Sequence, residues 1–245
     1  MKDELAFVLY SGGKDSHIAL YNAIKDGYDV VLFHANPSDM SADIFSSPYV
    51  SDIVKKQASL MGIQLYELKI KGMIEEENIF LKIIKLLKSK HKKNIIYYDS
   101  FQYSASISET DIKNIRKISE IFKANGIRTI PFSKIIKGNT VYDSFKSYLK
   151  SGIKAIITGV ENGISSDFLG KELDDVFIKH LKELIKKNNG IGGYNYQTLV
   201  TSSPLFNGYS FKITQSKIFY NPKNKSDILK IIKWKCYKNN ERQTE

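Results

Sequence analysis

The sequence predicts an α/β protein: a Rossmann-like parallel sheet carried by residues 1–133, then a smaller C-terminal α/β domain over 134–245. Three observations predict it. The first part alternates apolar β-type runs with amphipathic segments and short turns, the pattern of a parallel sheet covered on both faces. A polar glycine turn lies between the first apolar run and the first helical segment. Beyond Ser133 the rhythm changes to a helix, an apolar strand, a second helix and two long extended segments.

Taken in order, Leu5–Tyr10 is a β-type run, Ser11–Lys14 a polar turn, and Asp15–Asp26 a helix with Ile18, Leu20, Tyr21 and Ile24 available to pack, stopped by Gly27. Asp29–His34 is a second buried run. Residues 35–48 are polar and too long for a simple connection, which marks a functional loop. Tyr49–Met61 is helical and ended by Gly62, Ile63–Ile70 is extended, and Ile74–Lys90 has a broad apolar face. Asn94–Asp99, helix Asp111–Ala124 and strand Ile127–Phe132 complete the series. In the second part, Val141–Lys150 and Lys171–Lys187 read as helices around strand Lys154–Val160. Asn188–Gly193 is a glycine loop and Gln197–Thr201 a short strand. Gly208–Tyr220 and Asp227–Tyr237 are two extended segments joined by a turn of Asn, Pro and Lys.

Composition sets limits. Of 245 residues, 42% are hydrophobic and 26% charged, which excludes a disordered chain. The apolar runs are far shorter than a membrane span. Met1-Lys2-Asp3-Glu4 lacks an apolar signal core, so a cytoplasmic protein is expected. Cys236 is the single cysteine, which excludes an intrachain disulfide and a cysteine-rich metal site. The four histidines, His17, His34, His91 and His180, lack ligand spacing.

The net charge of +11 comes almost wholly from lysine, since Arg116, Arg128 and Arg242 are the only arginines. The segment 80–95 has six lysines and no acid, and 212–240 has eight lysines against Asp227 alone. A solvated lysine-rich surface and a contact site for RNA or an RNA-bound complex both fit this.

Chemistry concentrates in Ser11-Gly12-Gly13-Lys14-Asp15-Ser16. A turn between a buried strand and a helix aims unpaired N–H groups outwards at the positive end of the helix dipole, which suits phosphate oxygens. Gly12 and Gly13 would let the backbone approach an anion closely. Ser11 and Ser16 add hydroxyls and Lys14 adds charge. Asp15 would hold a Mg²⁺ that bridges phosphate and protein. The spacing is neither that of a Walker A loop nor that of a dinucleotide fingerprint.

These residues resemble the PP-loop of the N-type ATP pyrophosphatases, which cleave ATP between the α- and β-phosphates while adenylating a substrate oxygen. The resemblance implies that Ser11–Ser16 hold the phosphates of ATP with Mg²⁺, and that Leu32, Phe33 and His34 meet the adenine through their backbone. Gly159-Val160-Glu161-Asn162-Gly163, then Phe168-Leu169-Gly170-Lys171, and Gly192-Gly193 to Asn195-Tyr196-Gln197-Thr198, resemble segments of the diphthine–ammonia ligases. That family makes the last amide of diphthamide on elongation factor 2 from ATP and ammonium. The resemblance makes Lys14, Asp15 and Glu161 catalytic candidates. It makes Gly159, Asn162, Gly163, Gly170, Lys171, Gly192, Gly193, Asn195, Gln197 and Thr198 candidates for binding the acceptor.

The chain departs from the family pattern in two places. Where the family has Glu-Tyr/Phe-His-Thr, the sequence reads Asn195-Tyr196-Gln197-Thr198, so two groups that can carry charge are neutral amides. The family's middle motif is replaced by Asp99-Ser100-Phe101-Gln102-Tyr103. A divergent ligase, a relative with another carboxylate substrate, a nucleotide binder without turnover and an RNA-modifying relative all remain open from sequence. For the last of these, sulfur transfer is disfavoured by the lone Cys236.

Overall fold

The computed structural model describes residues 3–37, 49–70, 76–100, 109–138, 140–187, 195–222 and 225–239. Five parallel strands build the first sheet: β1 (Glu4–Leu9), β2 (Asp29–Pro37), β3 (Leu65–Ile70), β4 (Asn94–Tyr98) and β5 (Arg128–Ile130), in the order β3-β2-β1-β4-β5. The helices between them are α1 (Lys14–Lys25), α2 (Ser51–Met61), α3 (Glu76–Lys90) and α4 (Glu109–Ala124). Going from β1 the chain steps to β2 and β3, then returns across the sheet to β4. The topological switch therefore lies between the carboxyl ends of β1 and β4, where ligands bind in open α/β sheets.

The alternation of side chains along β1 divides the core in two. Leu5, Phe7 and Leu9 point to the face covered by Ile79, Phe80, Ile83 and Leu87 of α3 and Phe122 of α4. There Phe7 stacks on Tyr97 at 4.8 Å between ring centres. Ala6, Val8 and Tyr10 point the other way, to α1, α2 and the C-terminal part of the chain.

That C-terminal part contains α5 (Phe132–Ile136), α6 (Val141–Lys150), β6 (Lys154–Val160), α7 (Asp175–Lys187), β7 (Tyr196–Ser202), β8 (Tyr209–Asn221) and β9 (Ser226–Lys238). Its four strands are antiparallel and close on themselves as β6-β7-β8-β9. Their inward residues, among them Ala155, Ile157, Leu199, Phe211 and Leu229, belong to the same apolar cluster as Val8, Ile18 and Val54 of the first part. One core thus runs from the parallel sheet into the antiparallel one.

Three differences from the sequence reading have local causes. The last strand of the first sheet stops at Ile130, because Pro131 (φ −69°, ψ 146°) caps the short helix α5. Five residues are too few to show helical periodicity in sequence. Helix α7 begins at Asp175, not Lys171: Asp174 Oδ1 accepts from the Phe177 N–H at 3.0 Å, a side-chain cap. After the left-handed turn at Gly170 (φ 81°), residues 171–173 run beside β6, with Ile157 N–H donating to Lys171 O and Leu173 N–H to Ala155 O. Finally, β2 continues to Pro37, so Leu32 to His34 are interior to the strand. Among the described residues no helix is long and apolar enough to cross a membrane.

Candidate functional site

The loop Ser11–Gly13 leaves β1 at the topological switch and enters α1. The first intrahelical bond runs from His17 N–H to Gly13 O (3.1 Å), so the amides of Lys14, Asp15 and Ser16 point out of the helix end. Thr198 Oγ1 of β7 takes the Lys14 amide at 3.0 Å. Ser16 Oγ donates to Gly13 O and lies 3.1 Å from Ser11 Oγ, which fixes the loop's shape. At the end of β4, Ser100 Oγ donates to Leu9 O (3.2 Å), and the buried Asp99 accepts from Tyr97 Oη (3.2 Å).

The two glycines also meet a need that the sequence does not show. Gly12 has φ +80°, and a Cβ there would lie 2.7 Å from Val54 Cγ2 and 2.9 Å from Gln57 Oε1. A Cβ on Gly13 would lie 2.9 Å from Thr198 O. Val200 N–H also donates to Gly12 O at 2.9 Å. Both glycines make room for protein: α2 and β7 are seated on the loop.

Lys14 is only 1% exposed. Its Nζ donates to both carboxylate oxygens of Asp15 (2.7 and 2.6 Å) and lies 5.0 Å from the centre of the Tyr196 ring. Burial alone would push the ammonium down, but Asp15 beside it outweighs that and holds it above the ordinary lysine range. Asp15 Oδ1 also accepts from Ser144 Oγ of α6 at 2.8 Å. Tyr196 is buried, which raises its phenol, while the neighbouring Lys14 ammonium acts in the opposite direction.

Glu161 follows β6 and faces Asn195. Asn195 Nδ2 donates to Glu161 Oε1 at 2.9 Å, and Glu161 N–H donates to Asn195 O at 3.0 Å. Half-burial raises the Glu161 carboxyl, and the Asn195 amide partly offsets this. Asn195 therefore stands immediately before β7, and the strand carries Tyr196 beneath Lys14 and Thr198 on the loop amide.

The other candidates fall in separate places. Gly159 pairs with Gln197 across β6 and β7, where a Cβ would lie 3.1 Å from Gln197 Cδ. Asn162 (φ 54°) and Gly163 (φ 84°) form the exposed left-handed turn after Glu161. Gly170 (φ 81°) is a left-handed turn residue whose N–H donates to Ile157 O of β6; Lys171 follows it beside β6, with its Nζ 5.8 Å from the centre of the Phe168 ring. Leu32 and Phe33 are fully buried within β2, and Phe33 O accepts the Tyr10 N–H. His34 is buried, with Nδ1 donating to Tyr10 O (3.0 Å) and Nε2 3.0 Å from Ser51 Oγ; burial lowers its pKa. Gly192, Gly193 and the loop 188–193 lie outside the described residues.

Sequence reasoning missed Ser144, and it missed a buried network around His17. Tyr10 Oη lies 2.8 Å from His17 Nδ1 and donates to Gln57 Oε1 (3.1 Å). His17 Nε2 lies 2.7 Å from Ser203 Oγ, and Gln57 Nε2 donates to Val200 O (2.7 Å). Nothing in the spacing of these residues signals that they meet, because the contacts span both halves of the chain.

The residues fit a triphosphate with its cation. Two outward amides and the Ser11 and Ser16 hydroxyls stand at the loop, and the buried Lys14 ammonium is held on Asp15 beside them. Mg²⁺ is ordinarily held by one or two carboxylates together with substrate phosphates, and Asp15 supplies one. Among the described residues no set of three or more His, Cys, Asp or Glu side chains forms a metal centre without phosphate.

The open parallel sheet and the glycine loop at its switch point together have the layout of a nucleotide site. Residues 4–99 match the family described as the diphthamide synthase N-terminal domain, a match that supports an ATP-using protein. No curated protein matches the chain. Among solved structures, the chain is similar to a predicted subunit of tRNA methyltransferase from Methanocaldococcus jannaschii. The two are 13% identical with a TM-score of 0.37, over 82% of this chain and 98% of that one. At those values the likeness bears on neither activity nor substrate.

Proposed function

We propose that the protein is an ATP-dependent amide-forming ligase that activates a carboxylate and transfers ammonia to it, with diphthine on elongation factor 2 as the acceptor. The observation that carries this reading is β7, which joins the phosphate end of the site to the Glu161–Asn195 pair within four residues, Asn195 to Thr198.

When bound, ATP supplies AMP as a leaving group for the acceptor's carboxylate oxygen, so that ammonia can displace it. The chain's own part is positioning and charge. Ser11, Ser16 and the Asp15 and Ser16 amides would hold the phosphates, and Asp15 the Mg²⁺. Lys14, kept cationic by Asp15, would stabilise the negative charge that builds around phosphorus. Glu161, its carboxyl raised by burial, would take a proton from ammonium or from the attacking amine. Asn195 holds Glu161 in place and, being neutral, leaves it the one carboxylate of that pair.

One observation favours a second reading, a nucleotide binder without turnover: Thr198 already takes a loop amide and Lys14 is already paired. Product analysis separates the two. A ligase releases AMP and pyrophosphate, never ADP and phosphate, and Asp15→Ala is expected to cut AMP release by at least about a hundredfold. Full activity in that variant would remove the loop from the mechanism, and ATP binding without AMP under any acceptor would favour the second reading.

A further inference from the structure

The ribbon formed by β8 and β9 has a feature that packing does not explain. Its register sets Lys212 directly opposite Lys235 and Lys217 directly opposite Lys230, with Lys233 opposite Gln215 between them. Like charges facing each other across a ladder destabilise it. All five lysines are exposed, and none is in an ion pair among the described residues. The only acid of the two strands is Asp227.

The buried side of the same ribbon is ordinary. Phe211, Ile213, Trp234 and Cys236 pack on the apolar core. Two register shifts, at Ile213/Gln215 and Gln215/Ser216, let Ile231 turn inwards while Lys230 stays outwards. The bulges therefore keep the lysines on the solvent side along the length of the ribbon. Ile218 (54% exposed) and Tyr220 (57%) alternate with Lys217 and therefore stand on the other face of β8, Ile218 opposite Leu229 and Tyr220 opposite Asp227.

Protection of a sheet edge is a known use of lysine, and one lysine per strand serves it. Paired lysines in register add repulsion without adding protection. From Lys212 to Lys217 is five residues, about 16 Å at the rise of a strand, so the charges form a row and not a point. A row of positive charge of that length matches a run of phosphates.

We propose that this face of the ribbon binds the phosphate backbone of RNA, without base specificity. The absence of arginine from both strands is consistent with that, because lysine is a point charge and lacks the planar fork that reads bases. The proposal does not depend on the ATP-dependent reaction, and either can fail alone.

The test is fluorescence anisotropy of a labelled tRNA transcript with the full chain, from 50 to 200 mM KCl. Five phosphate contacts give a slope of log Kd against log salt of about 4. Lys212→Glu with Lys217→Glu and Lys235→Glu is expected to weaken binding more than tenfold and lower the slope by about 2–3. The same charge change at exposed lysines on and after α3 (Lys82→Glu, Lys85→Glu, Lys92→Glu) is expected to change it less than about twofold. Equal losses in both variants would reduce the effect to net charge and overturn the proposal. Absence of binding at 50 mM would overturn it too, as would equally tight binding to polyglutamate or to vesicles of anionic lipid. A milder variant, Lys212→Gln with Lys217→Gln, covers the case in which charge reversal prevents folding. It relieves both opposed pairs, so it is expected to melt about 1–3 °C higher while binding RNA several-fold more weakly. A lower melting temperature or unchanged RNA binding would contradict the argument.

Discussion

At the residue scale, the proposed function turns on the pair Glu161 and Asn195. The resemblance would place a second carboxylate at position 195. The structure shows what the amide does there: it donates to Glu161 at 2.9 Å, where a carboxylate would repel. Glu161 is already raised by burial. In Asn195→Glu the two carboxylates would share one proton, raising the Glu161 pKa further. A carboxyl that is higher in the folded state than in the unfolded one stabilises the fold at low pH and loses that contribution as pH rises through its folded value. The variant should therefore show a urea midpoint that falls more steeply than the parent's between about pH 5 and 8. Parallel profiles would mean that the two side chains do not meet in solution. Lys14 and Asp15 are coupled in the opposite sense. Removing Asp15 strands a buried ammonium, so Asp15→Ala should also cost about 3 kcal/mol of stability.

At the element scale, the loop at residues 11–16 is shaped as much by β7 and α2 as by any ligand. Gly12 at φ +80° has Val54 and Gln57 where a side chain would go. Gly12→Ala is expected to destabilise the protein by about 2 kcal/mol, through overpacking and left-handed strain, even with no nucleotide present. Chemical denaturation of the nucleotide-free variant checks this, and an unchanged midpoint would mean that β7 and α2 do not sit on the loop.

Legibility from sequence follows the same division. The β1–loop–α1 unit was readable because an apolar run, a glycine turn and a helical period stand side by side in the chain. The strands β6, β8 and β9 were readable from their apolar runs and turns. What could not be read was whatever depends on partners far apart in sequence. The closure of the four antiparallel strands, the seating of β7 on the loop, and the Ser144–Asp15 bond are of this kind. The start of α7 is a subtler case. Lys171-Glu172-Leu173 suits a helix locally, but the bonds to Ala155 and Ile157 hold it extended. That α2 and β7 sit against Gly12 and Gly13 was not readable, because sequence shows the freedom of a glycine and not the neighbour that uses it.

At the scale of the whole molecule, one apolar core and one buried polar network join the two halves. His17 stands at the centre of that network, with Tyr10 from the first half and Ser203 from the second. Burial pushes the His17 imidazole down to about 3. The unfolded imidazole titrates near 6.5, so the unfolded chain takes up a proton that the folded one refuses. Stability is then full above about pH 6.5 and falls towards about pH 3, by about 1.4 kcal/mol per pH unit from this group. His17→Gln should be less stable at pH 7.5 but should show a shallower loss on acidification. Denaturation curves at pH 7.5, 6 and 5 test this, and equal slopes in parent and variant would show that His17 is not held neutral by the fold.

The central claim is that the ATP end of this molecule serves amide formation on diphthine. The most direct measurement incubates the purified chain with Mg-ATP, ammonium and elongation factor 2 carrying diphthine, following AMP and the mass of the factor. The account predicts AMP and pyrophosphate in step with a loss of about 1 Da from the factor, the change from acid to amide, with both signals lost in Asp15→Ala. ATP binding with an unchanged factor and no AMP would contradict it.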